Sequence, residues 1–327
     1  MRKKRIVSGM RPTGKLHLGH LHGALLNWKK LQEEFECFYF IADWHALTSE
    51  YANTEIIRNS INDIVIDWIS VGLDPEVCTF FIQSQIKEHS ELYLIFSMIT
   101  PLPWLERNPT YKEQLNELSQ KNLSTYGFLG YPVLQAADIL MYKANGVPVG
   151  EDQAPHVELT REIARRFNHL YGSVFPEPDV LLTPTSKILG IDRRKMSKSY
   201  NNDISLSDTD EDIDKKVSQM ITDPQRARKT DPGDPAVCNV FSFHEIYTDS
   251  ETVGKINKEC RTAAIGCVDC KKIMAANLKK GLGPVREKRK ELESNIGKVN
   301  EIIEEGNKRA RAIAAETMEQ VREAVKI

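Results

Sequence analysis

The first 200 residues alternate between short apolar runs and longer segments in which apolar residues recur at helical spacing. The short runs predict β-strands at residues 5–8, 37–42, 79–83 and 180–183. Helical stripes of apolar residues lie between them, at residues 21–31 and 57–68. Strands that alternate with helices favour a parallel sheet covered on both faces, in which ligands bind beyond the carboxyl ends of the strands. We therefore predict an α/β fold. There is no G-x-G-x-x-G segment, which disfavours a dinucleotide-binding fold of the dehydrogenase type.

The pattern changes along the rest of the chain. Residues 88–170 are mainly helical in pattern, with a break at residues 101–109, where three prolines fall. Beyond Asn202 the sequence is charged and helix-like, with almost no strand signal. We therefore expect a parallel-sheet domain over residues 1–200 with a helical insertion, and an all-helical domain over residues 201–327. The last helix can return to the first domain.

Composition limits the partners and the compartment. The 327 residues carry a formal net charge of -2, so any contact with nucleic acid must come from local basic patches. No apolar run approaches the length of a membrane span, and no signal peptide opens the sequence. We therefore expect a cytoplasmic protein whose six cysteines are reduced thiols or metal ligands.

The segment from Arg11 to His20 lies at a predicted strand-to-helix turn. Backbone N–H groups and a helix N-terminus favour an anion at such a turn. His17 and His20 are three residues apart, so they can share one face of the first helical turn and donate to phosphate oxygens. Alone, this segment is more typical of a loop with two solvated histidines.

A second polar segment, Lys195-Met196-Ser197-Lys198-Ser199, lies downstream of the predicted strand at residues 180–183. Its two ammonium groups, three residues apart and interleaved with hydroxyls, form a compact set of donors for a pyrophosphate. Alone, it is also typical of a solvated loop. The two segments, in this order, resemble the HIGH and KMSKS signatures of class I aminoacyl-tRNA synthetases.

Two further segments carry polar side chains that can bind a ligand. Gln135 and Asp138 are three residues apart on one face of an apolar helix, where a carboxylate needs a donor partner. That donor is either a ligand N–H or a structural partner. In the next segment, Gly150 allows a ligand to approach closely, and Glu151 and Asp152 can accept from a ribose hydroxyl. An ordinary polar loop is the alternative there.

Over essentially its whole length the chain resembles the bacterial tryptophanyl-tRNA synthetases. The resemblance is carried by residues 8–14, 42–46, 131–142, 147–153 and 195–199. It implies a Rossmann-like catalytic domain, a homodimer formed through residues 88–170 and a helical domain that binds the tRNA anticodon. It also implies activation of L-tryptophan by ATP with Mg²⁺, followed by transfer to tRNA(Trp).

The resemblance implies roles for individual residues. Catalysis would depend on His17, His20, Lys195 and Lys198. The tryptophan pocket would be lined by Val7, His45, Tyr131, Gln135, Asp138 and Gln153, with Asp138 accepting the indole N–H. ATP would contact Arg11, Pro12, Thr13, Gly19, His20, Gly150, Glu151, Asp152, Ile188, Lys195, Met196, Ser197, Lys198 and Ser199. The chain departs from the family at Gln135, where many members carry Met, and at Arg11, where many carry Gln.

Two alternatives remain open. Residues 134–136 also resemble the tyrosyl-tRNA synthetases, but that family places a tyrosine where Val7 stands, to bind the substrate hydroxyl. A buried phenol hydroxyl with fewer partners costs about 1–3 kcal/mol, which favours tryptophan. A non-catalytic, synthetase-like tRNA-binding protein is the other alternative. The intact histidines and lysines of the two signatures argue against it.

Four cysteines in the predicted helical domain have metal-ligand spacing. Cys238, Cys260, Cys267 and Cys270 are separated by 21, 6 and 2 residues. Four thiolates suit zinc or a 4Fe–4S cluster, and only one C-x-x-C pair is present. The arrangement resembles a subset of tryptophanyl enzymes with a 4Fe–4S cluster near the anticodon-binding region, which implies a cluster. Zinc and unliganded thiols are the alternatives.

The same region carries basic residues that suit tRNA phosphates, although each is also typical of a solvated helix surface. They are Arg226, Arg228, Lys229, Lys271, Lys272, Lys279 and Lys280.

Overall fold

The computed structural model describes residues 3–108, 124–183 and 188–327. They form two compact units. The first comprises Met1–Gly14, Leu26–Thr185 and Ser294–Ile327, and the second comprises Lys15–Leu25 and Ser186–Glu293. This division differs from the predicted boundary at residue 200, because the segment with His17 and His20 belongs to the second unit. The last helix belongs to the first unit, in agreement with the expectation that it can return there.

The first unit contains a five-stranded parallel sheet, so the predicted α/β class is confirmed. Its strands are β1 (Arg5–Met10), β2 (Glu36–Ile41), β3 (Cys78–Ile82), β4 (Gly146–Val149) and β5 (Asp179–Leu182). The strand order is β3-β2-β1-β4-β5, so the order reverses between β1 and β4. In sheets of this kind, the crevice at the carboxyl end of that switch point is the usual ligand site.

Strand β4 was not predicted from the sequence, because four residues that include a glycine and a proline give no strand pattern. The carbonyls of Asn145 and Val149 accept from β5, at 2.9 Å each. In a parallel strand, alternate residues bond to opposite neighbours, so Pro148 faces β1. Pairing with β1 is recorded at one position, Ile6 with Gly146. Because β1 and β4 do not form a continuous ladder of hydrogen bonds, the missing N–H of Pro148 breaks none.

Helices cover the sheet of the first unit. They are α2 (Leu26–Glu34), α3 (Asp43–Glu50), α4 (Glu55–Ser70), α5 (Glu88–Ile99), α6 (Leu102–Glu106), α7 (Tyr126–Met141), α8 (Ala154–Tyr171) and α13 (Ile296–Val325). Helix α6 lies within residues 101–109, where a break was predicted. Its proline stands in the first helical turn, where a missing N–H is tolerated. Residue 109 lies outside the described residues.

Helix α13 covers the exposed edge of β3. Asn307 Oδ1 accepts from Ile82 N at 2.9 Å, and Arg309 Nη2 donates to Cys78 O at 3.2 Å. A Cβ at Gly306 would stand 1.7 Å from Phe80 O, so only glycine permits this close packing. The helix thus satisfies an edge that would otherwise be open to pairing.

The second unit is helical and has no multi-residue strand among its described residues. Its helices are α1 (Leu18–His20), a π-helical segment (Leu21–Leu25), α9 (Asp210–Gln219), α10 (Asn239–Tyr247), α11 (Ser250–Arg261) and α12 (Cys267–Glu293). The early segment joins this unit through long-range hydrogen bonds. Leu18 N donates to Ile204 O at 3.0 Å, and Leu206 N donates to Leu16 O at 3.0 Å. Across the described ranges, none of the helices combines the length and apolar character needed to cross a membrane.

Candidate active site

The carboxylate of Asp138, in α7, is the centre of a buried hydrogen-bonded group in the first unit. Oδ1 accepts from His89 Nδ1 at 2.6 Å and from Gln83 Nε2 at 2.8 Å. Oδ2 accepts from His45 Nε2 at 2.7 Å and from Gln83 Nε2 at 2.9 Å. Burial by itself raises the pKa of Asp138, but the hydrogen bonds from His45 and His89 outweigh it and hold the pKa below its ordinary value. The carboxylate is therefore ionised at neutral pH.

The partners of Asp138 come from the carboxyl ends of neighbouring strands. His45 lies on α3, directly after β2, and Gln83 directly follows β3. Gln83 Oε1 accepts from the backbone N–H groups of Trp44 at 3.1 Å and His45 at 3.4 Å. These bonds fix which side of the Gln83 amide faces Asp138. The structure thus brings together two predicted site residues, His45 and Asp138, at the edge of the sheet where ligands bind.

Tyr131 lies beside this group and takes part in a separate series of hydrogen bonds. Its ring centroid is 6.3 Å from that of His45, and its hydroxyl is 2.8 Å from His156 Nε2. Asn108 Nδ2 lies 3.1 Å from His156 Nδ1 and donates to it. Burial lowers the pKa of His156 to about 4, so the ring is neutral and its Nε2–H donates to Tyr131. The Tyr131 O–H then has its own hydrogen to donate to another acceptor.

The other predicted pocket residues occupy different positions. Gln135 lies one turn before Asp138 and is half-buried, although its neighbours on α7 are buried. Val7 is fully buried in the middle of β1, paired in register with Phe38. Gln153 follows β4, where its Nε2 donates to Asp152 Oδ2 at 3.2 Å.

Two turns of the first unit stand at the switch point between β1 and β4. Arg11 follows β1, and its guanidinium donates to Ser49 Oγ. The Nε of Arg11 is buried and has no hydrogen-bond partner among the described residues, so it can donate to a ligand. Gly150 follows β4, and a Cβ there would lie 2.7 Å from Asp152 Oδ1. The same two turns carry Pro12, Thr13 and Glu151.

In the second unit, His17 and His20 form a reciprocal cap at the start of α1. His17 Nδ1 accepts from Gly19 N at 3.1 Å, and His20 Nδ1 accepts from His17 N at 3.2 Å. Burial lowers the pKa of His17 to about 4 and lowers the pKa of His20 well below its ordinary value. Both rings are therefore neutral at pH 7. Because each Nδ1 is an acceptor, each ring carries its hydrogen on Nε2, where it can donate to an oxyanion.

Gly19 is needed between the two histidines. A Cβ at this position would lie 2.9 Å from the His17 ring and 3.5 Å from Met196 Cβ. The positive charge of Lys198 also contributes to lowering the pKa of both histidines. The two signature segments, nearly 180 residues apart in the chain, are therefore neighbours within the second unit.

The Lys195 segment is organised by a buried asparagine, Asn202. Its Oδ1 accepts from Ser197 N at 2.8 Å, and its Nδ2 donates to Lys195 O at 3.1 Å and to Asp192 Oδ1 at 2.7 Å. Ile188 and Met196 are buried, Lys195 is exposed and Ser197 and Lys198 are half-buried. The loop therefore has a fixed backbone and presents its first ammonium group to solvent.

The four cysteines lie at helix ends of the second unit: Cys238 caps α10, Cys260 lies in the last turn of α11, and Cys267 and Cys270 lie in the first turn of α12. Burial raises the pKa of Cys270 to about 12, and repulsion from the other three sulfurs contributes to that rise. All six cysteines are free thiols. Within the described ranges, no group of three or more His, Cys, Asp or Glu side chains is arranged to hold a metal ion.

Several of the basic residues predicted to face tRNA have hydrogen-bond or ion-pair partners within the second unit. Arg226 Nη1 lies 3.8 Å from Cys260 Sγ, and Arg226 Nη2 donates to Ile265 O at 2.8 Å. Lys271 donates to Ser218 O at 2.7 Å, and Lys279 forms an ion pair with Asp214. The remaining members of the set are exposed: Arg228, Lys229, Lys272 and Lys280.

Sequence reasoning missed the residues that support the site, namely Gln83, His89, Tyr142, His156 and Asn202. Each is a single polar residue in an apolar or loop segment, which the chain pattern does not distinguish from an ordinary core or loop residue. The one available signal was a buried carboxylate at Asp138 in need of donors.

The sequence and the fold match known proteins along almost the whole chain. Residues 1–283 match the family described as tRNA synthetases class I (W and Y). A tryptophan–tRNA ligase of Thermotoga maritima is 54% identical over 325 residues, covering 99% of each chain. A tryptophan–tRNA ligase of Aquifex aeolicus is 50% identical, covering 99% of this chain and 100% of its own. The crystal structure of tryptophanyl-tRNA synthetase from Campylobacter jejuni, complexed with ADP and tryptophan, superposes with a TM-score of 0.90 at 33% identity, covering 99% of this chain and 100% of that chain.

A parallel sheet whose strand order reverses between β1 and β4, in a chain that carries the two signature segments, is the architecture of a class I synthetase. The chain belongs to the class I tRNA synthetases of the tryptophan and tyrosine family.

Proposed function

We propose that the chain is a tryptophan–tRNA ligase. It activates L-tryptophan with ATP to tryptophanyl-adenylate, releases pyrophosphate and transfers tryptophan to the terminal adenosine of tRNA(Trp). The observation that carries the choice of amino acid is the ionised, buried Asp138, an acceptor suited to the indole N–H. The ligases of Thermotoga maritima and Aquifex aeolicus support the same choice.

The first half-reaction requires no protein nucleophile. A carboxylate oxygen of tryptophan attacks the α-phosphate, and the bond to the pyrophosphate oxygen breaks. Catalysis then consists of positioning the two reactants and stabilising the charge that develops on the phosphates. We assign that role to the Nε2–H groups of His17 and His20 and to the ammonium groups of Lys195 and Lys198. A Mg²⁺ ion bound with ATP would supply further charge neutralisation.

In the second half-reaction, a hydroxyl of the terminal adenosine attacks the carbonyl of the adenylate and AMP leaves. Neither half-reaction calls for a covalent enzyme intermediate, which fits a site made of donors rather than nucleophiles. The four cysteines lie outside the set of residues that we assign to this chemistry.

Each unit supplies its own set of proposed ATP contacts. In the first unit, the unpartnered Nε of Arg11 is the observation that favours such a contact. The proposed set in the first unit is Arg11, Pro12, Thr13, Gly150, Glu151 and Asp152. The proposed set in the second unit is Gly19, His20, Ile188, Lys195, Met196, Ser197, Lys198 and Ser199.

The proposed tryptophan pocket belongs to the first unit and comprises Val7, His45, Tyr131, Gln135, Asp138 and Gln153. Val7 carries no hydroxyl for a tyrosine substrate, and Asp138 accepts without donating. The aminoacylation of purified tRNA(Trp) and tRNA(Tyr) tests the proposal. We expect tryptophan to be attached to tRNA(Trp) alone. Charging of tRNA(Tyr) with tyrosine would contradict the proposal.

We further propose a 4Fe–4S cluster held by Cys238, Cys260, Cys267 and Cys270. Support comes from the repulsion that these four sulfurs would feel as thiolates, which a cationic iron–sulfur core would relieve, and from helix N-termini at Cys238 and Cys267, which favour thiolate. When bound, the cluster would act as a structural crosslink. Its ligands would tie the start of α10 and the end of α11 to the start of α12.

Anaerobically purified protein is therefore expected to be brown, with iron and acid-labile sulfide in equal amounts. Replacing Cys267 by serine is expected to loosen the second unit and weaken tRNA charging, because ligation contributes to folding. Tryptophan activation is expected to survive largely intact. The matched control is Cys78→Ser, at a buried thiol of the first unit, which should leave the iron content unchanged.

Two results would contradict the cluster proposal. Colourless anaerobic protein with stoichiometric zinc would keep the four ligands and replace the cluster. Loss of tryptophan activation in a folded Cys267→Ser variant would contradict a purely structural role.

We also propose that the protein is a cytoplasmic homodimer. Large apolar side chains that are more than half exposed occur on or beside α5, α6 and α7, within the range predicted for the interface. They are Leu94, Met98, Leu102 and Tyr126. Large exposed apolar side chains on helices that pack together are a feature of interaction sites. The exposed lysines and arginines of the second unit are the proposed contacts for tRNA phosphates.

A further inference from the structure

His89 is a fully buried histidine to which the proposed chemistry gives no role. It lies in the first turn of α5, and its two ring nitrogens face two different polar groups, one on α7 and one on the residue that follows α7. Nδ1 is 2.6 Å from Asp138 Oδ1, and Nε2 is 2.6 Å from the hydroxyl of Tyr142. All three side chains are buried, so this chain of hydrogen bonds is shielded from water.

The positions of the hydrogens follow from the chemistry of the three groups. Asp138 is ionised and can only accept, so His89 must carry its hydrogen on Nδ1. Burial raises the pKa of Tyr142, so its phenol keeps its hydrogen at neutral pH and forms a hydrogen bond with His89 Nε2. Tyr142, bonded to the other ring nitrogen, therefore holds the His89 ring in the orientation in which Nδ1–H points at Asp138.

The two oxygens of Asp138 are held differently. Oδ1 is held by His89, which has no exposed side-chain surface. Oδ2 is held by His45, whose side chain is 11% exposed and lies beside Tyr131. Gln83 donates to both oxygens and is also fully buried. Oδ1 is thus held by two fully buried side chains, and Oδ2 lies on the side of the partly exposed His45, from which we expect the ligand to approach.

We infer that His89, oriented by Tyr142, is a positioning residue for tryptophan selection: it anchors Oδ1 of Asp138 and so directs Oδ2 toward the indole N–H. This inference rests on the proposed role of Asp138 as the acceptor of that N–H. Without the anchor, the carboxylate can rotate about its terminal torsion, which has broad energy wells. The indole N–H would then meet an acceptor in a less favourable direction.

A substrate that lacks the N–H separates this role from simple support of the fold. β-(3-Benzothienyl)alanine has the same bicyclic shape as tryptophan but carries sulfur in place of the N–H. It fills the pocket without using Asp138 Oδ2. A residue that acts through Asp138 should affect tryptophan and leave this analogue almost unaffected.

The test compares kcat/KM for the two substrates in pyrophosphate exchange, in the parent protein and three variants. His89→Leu removes the donor to Oδ1 and is expected to lower kcat/KM for tryptophan by roughly tenfold to a hundredfold, as for loss of a hydrogen bond to a charged group. The value for the analogue should change little, and KM for ATP should stay the same. His89→Asn, whose amide N–H can replace Nδ1–H, should restore most of the preference for tryptophan. Tyr142→Phe should lower it by a smaller factor.

Each outcome supports the inference or contradicts a named part of the account. A parent protein that uses both substrates equally would contradict the proposed role of Asp138 itself. If the parent prefers tryptophan and kcat/KM falls by the same factor for both substrates in the variants, only the positioning role of His89 is contradicted. If His89→Leu does not fold, the inference is tested with His89→Asn and Tyr142→Phe, through the ratio of kcat/KM for tryptophan to kcat/KM for the analogue.

Discussion

Replacing Lys195 by alanine is expected to lower the rate of tryptophan activation by roughly a hundredfold to a thousandfold, the usual effect of removing one donor from a transition-state anion. The Lys195 ammonium is exposed, while its backbone is fixed through Asn202. The charge that it stabilises grows only as the pyrophosphate departs. The affinity for tryptophan should therefore stay almost unchanged. Single-turnover formation of the adenylate and equilibrium dialysis of tryptophan measure the two quantities separately.

Lys198→Ala is expected to behave in the same way, because Lys198 belongs to the same loop and its charge reaches both His17 and His20. Lys215→Ala is the matched control, since Lys215 is an exposed lysine of α9 in the same unit. Unchanged activation in Lys195→Ala and Lys198→Ala would refute the assignment. A similar loss of activation in the Lys215→Ala control would show that the effect comes from removing a positive charge anywhere on this unit.

Replacing Asp138 by asparagine is expected to reduce kcat/KM for tryptophan by roughly thirtyfold to a thousandfold or more, because breaking a buried charged hydrogen-bond pair costs about 2–5 kcal/mol. Asparagine keeps one acceptor oxygen and turns an NH₂ group toward donors. In the parent, those donors are His45, His89 and Gln83. One of these N–H groups would then face another donor without an acceptor between them.

Tryptophan binding by Asp138→Asn, together with the melting temperature, measures this effect. Asp179→Asn is the matched control, at an exposed carboxylate of β5 in the same unit, and should leave both quantities near the parent values. An Asp138→Asn protein that binds tryptophan as tightly as the parent would show that Asp138 is structural.

The sheet and the two signature segments could be predicted from the sequence because their signals are local. Four of the five strands are apolar runs, and the structure places them within a residue or two of the predicted ends. Gly146–Val149 could not be recognised, because its strand form depends on pairing with β5 and on a position where Pro148 loses no ladder bond. Local propensity contains no information about such partners.

The hydrogen-bond partners of Asp138 could not be predicted from the sequence for a related reason. The need for a donor was visible in the apolar helix around Asp138, but three of the side chains involved, His45, Gln83 and His89, come from segments 49 to 93 residues upstream. A single histidine in an apolar helix, such as His89, is typical of a satisfied core residue. Only the folded structure shows that Nε2 of His89 is hydrogen-bonded to the Tyr142 hydroxyl and that Nδ1 is hydrogen-bonded to the Asp138 carboxylate.

The units differ from the predicted domains because of contacts that are distant in sequence. Residues 15–25 follow β1 directly, so the chain order assigns them to the sheet. Hydrogen bonds between Leu16–Leu18 and Ile204–Leu206 instead join them to the second unit, beside the Lys195 loop. The two signatures, which were recognised separately, thus belong to the same unit.

Amino-acid-dependent exchange of pyrophosphate into ATP, measured with each of the twenty amino acids, tests the central claim most directly. The ionised Asp138 acceptor and the absence of a hydroxyl at Val7 predict rapid exchange with tryptophan and background exchange with tyrosine and the other amino acids. Exchange with tyrosine at a rate equal to or above that with tryptophan, or no exchange with any amino acid, would contradict the account.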